Sequence, residues 1–367
     1  MIELSDYTFE TLRKDGEFIV YRGHHQHHTD TSPPSILVMT PVSERPALGS
    51  LRRMEHEYSL RAELDPGWAV RPLALAPHKG RTMLVLTDPG GEPLDRLLGS
   101  PMELTQFLRP AVGVSAALGQ LHGCGLVHKD VKPANILVNR ASGEARLTGF
   151  GIASRLPRER QAPAPPESIA GTLAYMAPEQ TGRMNRSIDS RSDLYSLGVT
   201  LYQMLTGSLP FTATDPMEWV HCHIARKPVP PSERLKEVPG PVSAIITKLL
   251  AKTAEERYQT AAGVESDLRR CLAEWELQRR IDEFPLGEHD TPDRLLIPEK
   301  LYGRSSEVHT LLASFDRVVK SGDPELVLVS GYSGIGKSSV VNELHKMLVP
   351  RGLFASGKFD QYKRDIP

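Results

Sequence analysis

Asp130, Lys132 and Asn135 lie in the run HKDVKPANILVN at spacings that suit phosphoryl transfer. A carboxylate there accepts or orients a substrate hydroxyl, a lysine two residues on neutralises the moving phosphoryl group, and an asparagine five residues on ligates magnesium. Fourteen residues past Asn135, where the principal magnesium ligand, a carboxylate, is due, the chain reads Gly149-Phe150-Gly151. No aspartate occurs between Asp130 and Asp189, so no shift of register supplies it. Losing one preorganised charged ligand costs about 3 to 4 kcal/mol of transition-state stabilisation, or roughly 100- to 1000-fold in rate.

A second phosphate motif lies near the other end. GYSGIGKS, from Gly331 to Ser338, fits G-x-x-x-x-G-K-[ST] without exception. It follows the apolar run ELVLVS, read as a buried strand, and opens a helical stretch. In that setting Gly331, Gly334 and Gly336 let backbone amides approach the phosphates of ATP, Lys337 reaches their β and γ positions, and Ser338 ligates Mg2+.

The first motif belongs to a longer series: HKDVKPANILVN, GFGIAS, GTLAYMAPE and SDLYSLGVTLYQMLTGSLPF. In that order they resemble the bacterial members of the eukaryotic-type Ser/Thr protein kinases, over roughly residues 1 to 275 and most specifically between 121 and 215. The resemblance implies an α+β, bilobal protein-kinase-like fold using ATP and Mg2+. Asp130 and Lys132 would be its catalytic residues, and Asn135 its remaining cofactor and metal ligand. Thr172 would lie beside Asp130, Glu179 would pair with Arg257, and Asp193 would brace the catalytic loop.

Other family positions are altered. The glycines of the phosphate-covering loop fall on Arg13, Asp15 and Phe18, with Gly16 out of step, so an ordinary β-turn is expected at Asp15-Gly16 and Phe18 would fill volume a nucleotide needs. The strand lysine falls at Val38 or Met39, and no lysine occurs between Lys14 and Lys79. Glu57, the matching helix glutamate, would lack its partner and is expected to be a surface helix charge. Ser168 and Thr172 are candidate phosphorylation sites in a proline-rich loop, and His24, His25, His27 and His28 are read as loop histidines without a metal framework.

These residues need a scaffold. Short β-type runs (EFIVYRG, SILVMTP, RTMLVLTD) with one helical stretch near 50–64 make a small lobe of about 1–90. From about 91 to 275 the pattern is helical, with a helix over ELTQFLRPAVGVSAALGQLHGCG ending at Gly123 and Gly125. Residues 276–300 mix charge, proline and glycine as a linker. Residues 301–367 read as the start of an α/β P-loop NTPase domain, too short to close its sheet, so the chain is expected to be a piece of a longer protein. This part resembles the AAA-type ATPase of large signalling proteins that join a kinase-like domain to an ATPase, sensor modules and a histidine kinase.

Composition excludes several alternatives. In 367 residues, Lys plus Arg (44) balances Asp plus Glu (45), so no overall field favours nucleic acid or an anionic membrane. Cys124, Cys222 and Cys271 form no C-x-x-C pair and suit a reducing, cytoplasmic setting. No apolar run reaches a membrane-spanning length. Two functions stay open: an active Ser/Thr kinase acting on a protein substrate, and a pseudokinase that binds a regulatory partner or the downstream ATPase and sensor modules.

Overall fold

The computed structural model describes residues 2–26, 33–78, 80–155, 171–184, 186–291, 303–332 and 335–344. Two-residue alternation organises the first part. Strands β1 (Tyr7–Lys14), β2 (Phe18–His25), β3 (Ser35–Pro41), β4 (Pro72–His78) and β5 (Arg81–Thr87) form an antiparallel sheet ordered β1-β2-β3-β5-β4. Ile36 and Val38 of the central β3 pack on one face with Leu4, Tyr7 and Val85. Leu37 and Met39 point the other way, toward Met54 of helix α1 (Leu48–Ser59) and Leu137 of the second lobe. The β1-β2 ladder shifts register between Thr11 and Arg13, a bulge that re-aims the side chains beyond it.

The large lobe follows through β6 (Glu92–Pro93), α2 (Leu104–Gly123), β7 (Ile136–Val138) and β8 (Ala145–Leu147). Next come α3 (Ser190–Thr206), α4 (Pro216–Ile224), α5 (Pro231–Arg234), α6 (Gly240–Leu249) and α7 (Ala261–Gln278). Helix α2 starts on Glu103, whose carboxylate accepts from the N–H groups of Thr105 and Gln106. The chain leaves it through Gly125 at φ 75°, a left-handed turn that suits glycine. Helix α3 is buried on nearly every face, begins at the capping Asp189 and stops at Gly207 with φ 73°. It is the axis of the core. Backbone bonds from Leu147 N–H to Trp68 O (2.9 Å) and from Val70 N–H to Leu147 O (2.8 Å) tie the lobes together.

Helix α7 runs through Gln278, and residues 279–291 fold back onto the large lobe. Ile281 is buried, and the Asp290 carboxylate accepts from the N–H groups of Gln259 (2.7 Å) and Thr260 (2.8 Å) and from the Thr260 hydroxyl. Asp290 thus secures the N-terminal turn of α7 from a point 30 residues away. Asp290→Ala is expected to lower stability by about 1 to 2 kcal/mol, as for loss of a helix cap. A lower urea midpoint at unchanged slope would show it; an unmoved midpoint would refute it.

Beyond residue 302, helices α8 (Ser305–Ser321) and α9 (Lys337–Glu343) flank the second motif. The expected strand at ELVLVS does not form: residues 325–330 pair with no strand among the described residues, and Leu326 and Leu328 are 95% and 87% exposed. A strand exists only by sharing its N–H and C=O groups with a neighbour, and no described segment provides one. Among the described residues no helix is long and apolar enough to cross a membrane.

Candidate functional site

The catalytic-loop residues converge as their spacing demands. The Thr172 hydroxyl donates to Asp130 Oδ1 (3.0 Å), Lys132 Nζ pairs with Asp130 Oδ2 (2.8 Å) and donates to Thr172 (2.6 Å), and Asn135 Nδ2 donates to Asp130 Oδ2 (2.9 Å). Thr172, Lys132 and Asn135 together hold this carboxylate in a fixed orientation. The Thr172 hydroxyl is committed to this cluster, while Ser168 lies outside the described residues.

Asp193 of α3 holds the loop from beneath. Its carboxylate accepts from the N–H groups of His128 and Lys129 (both 2.8 Å) and from His122 Nε2 (3.0 Å), and Lys129 takes φ 68°, unusual for a side chain of its size. Burial would raise the Asp193 carboxyl; His122, then His128, overcome it and hold the group low. His128 is pushed down by burial and stays neutral. Its Nε2 lies 3.1 Å from the Thr148 carbonyl, which can only accept, so Nε2 carries the proton and Nδ1 accepts from the Asp130 N–H. Phe150 is fully buried between His128 and Trp68, with ring centroids 4.9 and 6.4 Å away.

The phosphate end of the cleft is different. A cavity of about 370 Å³ is lined by Arg13, Phe18, Met39, Glu57, Asn135 and Gly149 among others. Glu57 is not the surface charge its sequence suggested: it is 1% exposed, because α1 turns it inward onto the backbone of Gly149 and Phe150. Its Oε1 has no hydrogen-bond partner. Met39 supplies an apolar side chain where a lysine would meet it, and Arg53 on the same helix pairs instead with Glu17 at 2.7 Å. Burial raises the Glu57 carboxyl to about 7, against the pull of the Phe150 and Gly149 N–H groups and the Arg13 charge.

Two features had no sequence signal beyond residues out of place. Arg13 Nη1 reaches across the cleft to the Ala134 carbonyl and to Asn135 Oδ1 (2.8 Å). Pro89, in the connector between the lobes, has no N–H, and that of Gly90 is taken by the Asp88 carboxylate (2.9 Å), which also pairs with Arg22. As expected, the β1-β2 connection is a tight turn, closed by Asp15 Oδ1 accepting from the N–H groups of Glu17 and Phe18.

A magnesium ion needs several oxygen ligands in near-octahedral array. Here Gly149 provides none, and the Asn135 oxygen already accepts from Arg13. Gly149 sits at φ 81°, and a Cβ built on it would meet Asn135 Oδ1 at 2.7 Å. The residues present do not fit a two-ligand magnesium site.

Below the cleft, Glu179 and Arg257 form a bidentate buried pair (2.7 and 2.9 Å), with Ser192 donating to Glu179 (2.7 Å). In the second motif, Lys337 Nζ donates to the carbonyls of Gly331 and Tyr332 (both 2.8 Å) at the start of α9, which also carries Ser338; Gly336 takes φ 93°. Gly334 lies outside the described residues.

A two-lobed scaffold with its catalytic loop braced from a central buried helix defines a protein kinase fold. Residues 44–268, more than half of the chain, match the protein kinase domain family, and the chain belongs to it. Residues 300–367 match the AAA ATPase domain. The chain is 37% identical over 213 residues to hybrid signal transduction histidine kinase G of Dictyostelium discoideum, covering 53% of this chain and 6% of that protein. It is 38% identical over 170 residues to serine/threonine-protein kinase PknB of Mycobacterium tuberculosis, covering 46% and 27%. To a probable serine/threonine-protein kinase of Corynebacterium efficiens it is 32% identical over 206 residues, covering 55% and 30%. The chain thus spans under a third of the length of each relative.

Proposed function

We propose that residues 1–275 form a cytoplasmic regulatory domain that keeps the Ser/Thr kinase scaffold, transfers phosphate weakly or not at all, and serves the ATPase that begins at about residue 301. The observation that carries this is the buried Glu57, which lines one cavity with Met39: where an ion pair would grip a triphosphate, the carboxylate has no lysine partner. The glycine at 149 supports the same reading. Asn135, the expected cofactor and metal residue, is then left with a structural role.

A second reading, an active Ser/Thr kinase with a non-standard ATP and magnesium site, is favoured by the Asp130, Lys132 and Thr172 cluster. On that reading Asp130 orients the hydroxyl of a protein substrate and Lys132 neutralises the phosphoryl group. In the P-loop segment, Gly331, Gly334, Gly336, Lys337 and Ser338 would hold the phosphates of ATP and its magnesium, which supplies charge neutralisation there. Regulatory partners would be the ATPase and further modules of the full-length protein.

Incubation with radiolabelled ATP and magnesium is expected to give the same background label on the chain, and on a generic basic substrate, for the parent and Asp130→Ala. Label present in the parent and lost in the variant would establish the second reading instead.

A further inference from the structure

We propose that Arg13 is a resident cation of the cleft: its guanidinium occupies the oxygen set where a divalent ion would sit, and it latches the small lobe onto the catalytic loop. The proposal deepens the reading above, resting on it for the identity of Asn135 as the would-be metal residue. Nη1 donates to the Ala134 carbonyl and to Asn135 Oδ1 at 2.8 Å, while Nη2 lies 3.8 Å from the Asp15 carboxylate. The charge also acts on the buried Glu57. Two neutral oxygens, with the Asp15 carboxylate at the edge of the site, are hard donors of the kind a cation takes, though too few for an octahedral magnesium ion. A guanidinium fills them with directed hydrogen bonds and needs no bound water.

The backbone explains how Arg13 reaches there. The ladder shift between Thr11 and Arg13 turns the end of β1, and the side chain, 10% exposed, crosses to residues 121 and 122 positions away. The same hairpin is pinned twice more: Arg96 of the large lobe donates to the Thr11 carbonyl (3.0 Å), and Arg22 of β2 donates to the Gly91 carbonyl (2.8 Å). In a nucleotide-binding kinase this hairpin covers the phosphates. Here it is fastened to the catalytic loop by the protein's own side chains. A dication and Arg13 cannot share the site, because like charges a few ångströms apart in a half-buried cleft repel strongly.

The test uses the full chain carrying Lys337→Ala, so that the P-loop lysine contributes nothing, with no nucleotide added. Amide hydrogen exchange is compared for Arg13→Ala and for Arg13→Gln, a neutral variant that still hydrogen-bonds and serves if the alanine variant fails to fold. Exchange over residues 9–22 is expected to be at least about tenfold faster in either variant, the scale of one charge-assisted hydrogen bond, with residues 190–206 unchanged. Manganese alone, followed by paramagnetic resonance, is expected to bind at least about tenfold tighter in the variants, and the gain is expected to vanish with Asn135→Ala. Unchanged exchange in the hairpin, or a manganese affinity indifferent to Arg13, would overturn the proposal. Neither readout depends on phosphotransfer, so label lost in Asp130→Ala would remove the regulatory reading without touching the latch.

Discussion

Arg257→Met is expected to destabilise the large lobe by about 3 to 5 kcal/mol, the cost of breaking a buried ion pair from one side. Arg257 is fully enclosed and donates to both oxygens of Glu179, and to the carbonyls of Arg191 (2.9 Å), Ala251 (2.8 Å) and Lys252 (3.2 Å). Methionine fills much of the volume but leaves the carboxylate and three carbonyls without their donor. In the parent, burial would raise the Glu179 carboxyl, and Arg257 with Ser192 more than offsets this and holds it below the ordinary range. A depressed value contributes stability above the unfolded carboxyl range, and that contribution is lost only as pH falls into acid. In the variant burial is opposed only by Ser192 and a backbone N–H, the sign is expected to reverse, and stability to fall as pH rises. Urea unfolding of the parent and variant at pH 5.5 and 8 should show a gap that widens at the higher pH. The double variant Glu179→Met, Arg257→Met should recover most of the loss, since an apolar pair replaces the orphaned charge. A single-variant loss below about 1 kcal/mol would mean that the pair is solvated on opening and braces little.

What could be read from the sequence was what repeats locally. Helix α2 showed through apolar residues at helical spacing and through its closing glycines Gly123 and Gly125. Strands β1 and β4 were not singled out: β1 buries only Tyr7 and Leu12, and β4 carries Pro72 and Pro77 on the sheet edge. The run at 325–330 was apolar enough for a strand, but pairing depends on a neighbour that composition cannot name.

The site divides along the same line. Asp130, Lys132 and Asn135 were legible because six consecutive residues hold them, and a short stretch of chain largely fixes their separation. Glu57 was misplaced because RRMEHEYSL is polar on most faces, and only the packing of α1 against Gly149 and Phe150 decides which polar residue goes inward. Arg13 was visible as an arginine on a glycine position, but its contact with Asn135 spans 122 residues. No local pattern encodes such a distance.

Glu57→Gln is the second substitution with a large expected effect, and it should stabilise the protein above neutral pH by up to about 3 kcal/mol. In the parent the folded carboxyl is raised to about 7 from an ordinary 4.5, chiefly by burial. A raised value means that the folded state holds its proton more tightly. The contribution is therefore complete below about pH 4.5 and is lost as pH climbs through 7. Above that, folding confines a buried carboxylate with one oxygen unpartnered. Glutamine keeps the shape, can still accept from the Gly149 and Phe150 N–H groups, and does not ionise. The difference in unfolding free energy between variant and parent should be small at pH 5 and grow to its full size by pH 8.5; comparing the two chains cancels every other titrating group. Met39→Lys should act on the same quantity by the opposite route, lowering the carboxyl with a partner charge instead of removing it. Parallel stability curves for Glu57→Gln and the parent would mean that the carboxylate finds solvent, and the cleft would then be open enough to admit a hydrated cation after all.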